Sequence, residues 1–177
     1  MKYTTTLAAL REYDACVSGY NKLACALTGR EFDADHPHWI KCDHSDPITL
    51  SYILNSNGLD DALWALRAVE KTPEFVRKCR LYAVWCARQV QHLMVDSRII
   101  AALDVAERHA NGQATDAELA AAAMDAAAAC ADDARLAAWS SASTAWDLAR
   151  AAGNGAWDLA RAAQRAKFVE MFIEGEG

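Results

Sequence analysis

The residue types best suited to chemistry crowd into one polar stretch: Asp33, Asp35, His36, His38, Cys42 and His44 all fall between residues 33 and 44. Imidazole, thiolate and carboxylate are ligands that zinc accepts, and a loop can fold around an ion. The spacing gives single close pairs, however, and none of the C-x2-C or H-x3–5-H pairs that hold structural zinc. The same residues also read as a His-Pro-His loop with a capping aspartate. No metal site is assigned, and His36, His38, Cys42 and His44 are the residues that would form one. Nucleophilic catalysis needs a serine or cysteine with a histidine and an acid in reach. Cys42 and His44 stand too close in the chain to decide this. There is no G-x-S-x-G, no phosphate-cradling glycine loop and no H-E-x-x-H. Many of the carboxylates fall at helix starts, where the macrodipole favours them. No catalytic residue, no cofactor and no cofactor-binding residue is assigned.

The elements that must carry this stretch are helical. Of 177 residues, 53% are hydrophobic and 24% charged, with eight glycines, three prolines and 39 alanines. Such a chain fits a single domain able to bury roughly 70% of its unfolded surface. The composition excludes a disulfide miniprotein, a collagen-like chain and a disordered tail, and abundant alanine favours helix. Eighteen basic against 24 acidic residues give a net charge of −6. The basic residues are scattered, so nothing favours nucleic acid as a direct partner. No run of 18 apolar residues appears, and the apolar stretch from Leu119 to Ala131 is mostly alanine, interrupted by Asp125. The first residues lack the apolar core of a secretory signal. The expectation is a soluble cytoplasmic protein without membrane contact. Six cysteines without a C-x-x-C pair then read as small buried hydrophobes.

Start and stop signals predict an all-α bundle. Thr5 or Thr6 caps a helix to about Thr28, stopped by Gly29. The irregular polar and aromatic loop follows, closing a first part over residues 1–45. Asp46-Pro47 opens a short helix to Asn55, and a helix from about Leu59 to Lys71 follows Asn57-Gly58. Thr72-Pro73 opens another, reaching Val95. Ser97 to Ala110 is the next, ended by Asn111-Gly112, so residues 46–113 form the middle part. Thr115-x-x-Glu118 is a capping box for the alanine-rich part, residues 114–173. There the segment Ala-Trp-Asp-Leu-Ala-Arg-Ala-Ala occurs at 145–152 and again at 156–163, eleven residues on. Gly153-Asn154-Gly155 between the copies predicts a turn joining two long antiparallel helices.

The stretches Asn57-Gly58-Leu59-Asp60-Asp61-Ala62-Leu63-Trp64-Ala65-Leu66-Arg67, Leu81-Tyr82-Ala83-Val84-Trp85-Cys86-Ala87-Arg88 and Ala102-Leu103-Asp104-Val105-Ala106-Glu107-Arg108 are distinctive. With Gly112-x-Ala114-Thr115 and the Ala-Trp-Asp-x-Ala-Arg tail, the chain resembles the immunity proteins of bacterial polymorphic-toxin loci, which have relatives in phages and prophages. The resemblance covers about residues 47–173. It implies a small helical protein that binds and neutralises another protein, a toxin or, in a phage setting, a bacterial defence component. It carries no catalytic residue across, and the stretch before Asp46 lies outside it.

Six tryptophans suit a core of small-residue helices, with one or two left exposed as anchors, and Trp39 in the loop is the first choice for exposure. The partner-binding candidates are Trp39, His36 and His38 from the loop, with Asp60, Asp61 and Arg67 from the helix behind it. The function expected is that of a non-enzymatic inhibitor acting sterically on a protein target. Two alternatives stand beside it. One is a self-assembling helical module, since alanine faces also suit packing between subunits in a homo-oligomer; the other is a metal-dependent enzyme using the 33–44 loop.

Overall fold

A computed structural model describes residues 3–35, 38–94, 96–132 and 154–174. The fold is all-α, and among the described residues its one strand pairing is the antiparallel pair of β1 (Thr4–Thr5) with β2 (Ile48–Thr49). It divides into two compact units, Met1–Lys71 with Val169–Gly177, and Thr72–Phe168. Among the described residues no helix is long and apolar enough to cross a membrane.

In the first unit the predicted opening helix is two helices. Thr6 caps α1 (Leu7–Glu12) by accepting from the Ala9 N–H. The chain then breaks at Asp14, whose φ of 62° is left-handed, a conformation aspartate tolerates better than most side chains. Cys16 restarts it: its Sγ accepts from the Gly19 N–H and caps α2 (Val17–Thr28). Gly29, at φ 66°, ends α2 as expected. Beyond the loop, the helix predicted from Pro47 begins later. Ile48 pairs with Thr5, and Thr49 caps α3 (Leu50–Ser56) by accepting from the Tyr52 N–H. Strand pairing takes the residues that Asp46-Pro47 would otherwise have led into helix. Gly58 precedes α4 (Leu59–Ala65), which tightens into a 3-10 turn at Leu66–Ala68, short of Lys71. The Lys71 ammonium donates to the carbonyls of Leu66 and Arg67 and closes that end. Leu7, Leu10, Leu23, Leu50, Ile53 and Phe172 form the core, and the Phe172 ring meets Tyr3 edge-on at 6.2 Å.

The second unit holds α5 (Pro73–Arg88), α6 (Ser97–Ala110), α7 (Asp116–Asp132) and α8, which runs over Asn154–Val169. The predicted cap at Thr72 accepts from the Phe75 N–H, and Asp96, which the sequence did not single out, caps α6 by accepting from the Arg98 N–H. Thr115 and Glu118 exchange both bonds of the capping box. α5 ends at Arg88, not Val95, and a 3-10 turn at Gln91–Leu93 follows. Arg77 ties α5 to the end of α6 by donating to the Ala110 carbonyl at 2.8 Å. His109, 2.7 Å from Arg80 and 2.6 Å from Asp116, links α5, α6 and α7. The Tyr82 hydroxyl donates to the Gln164 carbonyl, and its ring meets Phe168 edge-on at 6.1 Å, seating α8 against α5.

Among the described residues the deepest large side chains are phenylalanines: Phe75, Phe168 and Phe172 are no more than 1% exposed. Trp64 and Trp85 are only half-buried. A phenyl ring carries no polar atom to satisfy, so it fills a closed site more cheaply than an indole. Trp139, Trp146, the first copy of the repeat and the turn expected at Gly153 lie outside the described residues. Asn154 and Gly155 already belong to α8. The cysteines divide: Cys25 and Cys86 are buried as expected, whereas Cys16 is an exposed cap. Burial pushes the Cys86 thiol up to about 11, which keeps it protonated and unreactive.

Candidate functional site

Asn21 makes the decisive arrangement in the first unit. Its carboxamide lies on α2, is fully buried, and faces the backbone of the loop. Nδ2 donates to the His38 carbonyl at 2.9 Å, and Oδ1 accepts from the Ile40 N–H at 2.9 Å. The residue between those two bonds is Trp39. One buried amide thus grips the chain on both sides of the tryptophan and fixes where its side chain leaves the backbone.

The indole is 37% exposed. One edge of it meets the Tyr20 ring, with centroids 4.8 Å apart and planes at 73°. The Arg11 guanidinium lies over its face, 4.8 Å from the centroid, and 5.8 Å from the Tyr20 ring. A cation over an aromatic face contributes about 0.5–1 kcal/mol at an exposed site. Burial, chiefly, and then the Cys42 thiol raise the Tyr20 phenol, while Arg11 opposes them. Trp39 is therefore held on the surface by an amide clamp, an aromatic wall and a cation.

Tyr20 also lines a cavity of about 260 Å³ on the same unit. Leu10, Leu23, Ile53 and Ala65 supply its apolar wall, and Trp64 lies at its side. Asp14, Asp60 and Asp61 also line it. The Asn57 amide, capping α3, donates to Asp61 at 2.7 Å and to the Gly19 carbonyl at 2.8 Å. The approach at Gly19 is close: a Cβ there would stand 3.0 Å from Asp61 Oδ2 and 3.2 Å from Cys16 Sγ, so those side chains would have to give by a few tenths of an ångström.

The loop and helix candidates divide accordingly. Asp60 and Asp61 line the cavity, and Trp39 adjoins it through Tyr20. Arg67 is exposed, with its guanidinium 5.8 Å from the Trp64 ring. His38 is exposed and contributes its carbonyl to the clamp, while Cys42 and His44 are half-buried. His36 lies outside the described residues. Asp33 accepts from the Asp35 N–H in a local turn, as a capping aspartate does. Among the described residues no three His, Cys, Asp or Glu side chains converge as ligands for an ion. Sequence reasoning missed Arg11, Asn21, Tyr20, Asp14 and Gly19, because long-range contacts bring them to the site.

Comparison with protein-family models, curated proteins and solved structures finds no match to this chain.

Replacing Asn21 with leucine, similar in size, tests the clamp. It leaves the His38 carbonyl and the Ile40 N–H without a partner, a loss of about 1–3 kcal/mol in stability. The sharper readout is hydrogen exchange at the Ile40 amide, which should speed markedly. Unchanged protection at Ile40 would show that something other than Asn21 holds the loop.

Proposed function

We propose that this chain is a non-enzymatic binding protein that neutralises a protein target in the cytoplasm by covering a working surface. The target is a toxin or a bacterial defence component, as the resemblance to immunity proteins implies. One observation carries the reading: a fully buried asparagine holds the backbone on both sides of a surface tryptophan. Tryptophan and arginine dominate the energetics of protein interfaces, and rigid presentation removes part of the ordering cost of binding. Trp39, backed by Tyr20 and capped by Arg11, is such a rigid anchor. The neighbouring cavity with Asp60 and Asp61 gives the same face a concave, acidic feature. Action is steric and stoichiometric, since the reading assigns no residue a chemical step.

The test is capture of the target on the purified chain from extracts of phage-infected bacteria, followed by titration of the captured protein's activity. Inhibition should be complete at one chain per target and should leave the target's mass unchanged. Progressive inactivation by a small fraction of an equivalent would mean turnover and overturn the reading.

A further inference from the structure

We infer that His109 is a proton-operated latch: a proton taken up at its Nδ1 releases Arg80 of α5 and leaves Asp116 of α7 attached. The device lies wholly in the second unit and does not depend on the proposed function. The His109 side chain is 16% exposed and sits between two partners from neighbouring helices. Arg80 Nη1 stands 2.7 Å from its Nδ1, and Asp116 Oδ1 stands 2.6 Å from its Nε2.

The chemistry of the partners fixes where the protons are. A guanidinium has only donors, so the ring nitrogen facing Arg80 must accept and carries no proton. A carboxylate only accepts, so the nitrogen facing Asp116 carries one. The ring is therefore the neutral Nε2–H tautomer, chosen by its two neighbours. Imidazole is the side chain whose ordinary charge change falls between about pH 5 and 8. A proton from solvent at Nδ1 turns that acceptor into a donor facing a donor, and the Arg80 bond is lost. The bond to Asp116 becomes charge-assisted and strengthens.

The charged groups around the ring are Arg80 from α5, Asp116 from α7 and Arg108 beside it on α6. Arg80 opposes the proton and Asp116 favours it. Arg77, one turn before Arg80, is held by the Ala110 carbonyl and the Asn111 amide oxygen, and Glu118 is held by Thr115. Further along α5, Arg88 donates to Asp104 and Glu107. Arg77, Arg80 and Arg88 thus tie α5 to α6, and only Arg80 rests on an acceptor that one proton abolishes. A carbonyl does not titrate, and a carboxyl that gains a proton keeps an oxygen able to accept. Release is therefore local: Arg77 and Arg88 keep α5 on α6 while Arg80 lets go. Among the described residues Arg80 has no other hydrogen-bond acceptor.

The test uses the whole chain, isotope-labelled at its histidine and arginine nitrogens and followed by NMR from about pH 8 down to about pH 5. His109→Asn assigns the ring signals and puts an oxygen that does not titrate close to the place of Nδ1. At the upper pH, Nδ1 should show the shift of a nitrogen without a proton, and Nε2 should couple to one. On acidification Nδ1 should gain its proton, and the Arg80 guanidinium protons should exchange faster with water in the same transition. In His109→Asn they should stay slow throughout. Arg80→Met should let the ring take its proton at higher pH and Asp116→Asn at lower pH, each by about half a unit, the worth of one exposed charge contact.

A proton on Nδ1 at the upper pH overturns the inference. So do Arg80 signals indifferent to the His109 transition, or a ring that takes no proton while the fold persists. Should a variant fail to fold, the tautomer and the Arg80 exchange of the wild-type chain decide alone.

Discussion

Phe168→Ala is expected to lower stability by about 3–5 kcal/mol, the range for truncating a fully buried large aromatic. Phe168 has no exposed surface and packs edge-on against Tyr82, the residue through which α5 binds α8 by the Gln164 carbonyl. Alanine there removes the ring, leaves a cavity and strips the partner face from Tyr82. For a protein of this size the midpoint should fall by roughly 6–20 °C. Tyr82→Phe separates the two contributions: it keeps the ring contact and removes one hydrogen bond, for about 1 kcal/mol. Trp85→Ala should cost less than Phe168→Ala, because Trp85 is only half-buried. Chemical denaturation of the three variants checks the order. If Trp85→Ala proved the most damaging, the core would be built on tryptophan rather than phenylalanine.

The core expectation shows what the sequence could and could not reveal. Caps were legible, because their chemistry closes within four residues: Thr72 with Pro73, Thr115 with Glu118, and the Asn111-Gly112 stop. The break at Asp14 was not, since the apolar stripe of Leu7, Leu10 and Val17 runs across it, and only the turn geometry and the Cys16 cap interrupt the helix. The strand pairing of Thr4–Thr5 with Ile48–Thr49 joins segments far apart in the chain. That pairing shortened the helix expected from Pro47. Composition favoured tryptophan as core because it counts large apolar rings, and it cannot say which of them must also seat an indole N–H.

The candidate site was legible in part for the same reason. Trp39 stood out through its loop setting, and Asp60 and Asp61 through the stretch that carries the resemblance. Asn21 sits on α2 among buried residues and gives no local sign that its amide grips a loop 17 and 19 residues away. Arg11 belongs to the helix before it and reaches the same indole. The cavity exists only once α2, α3 and α4 are assembled, so its acidic lining appears in the sequence as three aspartates in two separate places.

Trp39 carries the central claim, and truncating it has the largest effect expected on function. The indole is too exposed to be essential to the core, and its neighbours Tyr20 and Arg11 remain when it is removed. Stability should change little, while an interface centred on a rigid tryptophan should lose about 2–4 kcal/mol of binding. The most direct measurement is the dissociation constant of the captured target for the wild-type and Trp39→Ala chains, read beside their denaturation midpoints. The prediction is weakening by about 30-fold or more, the lower end of that range, with midpoints within a few degrees of each other. An unchanged dissociation constant in a folded Trp39→Ala protein would contradict it.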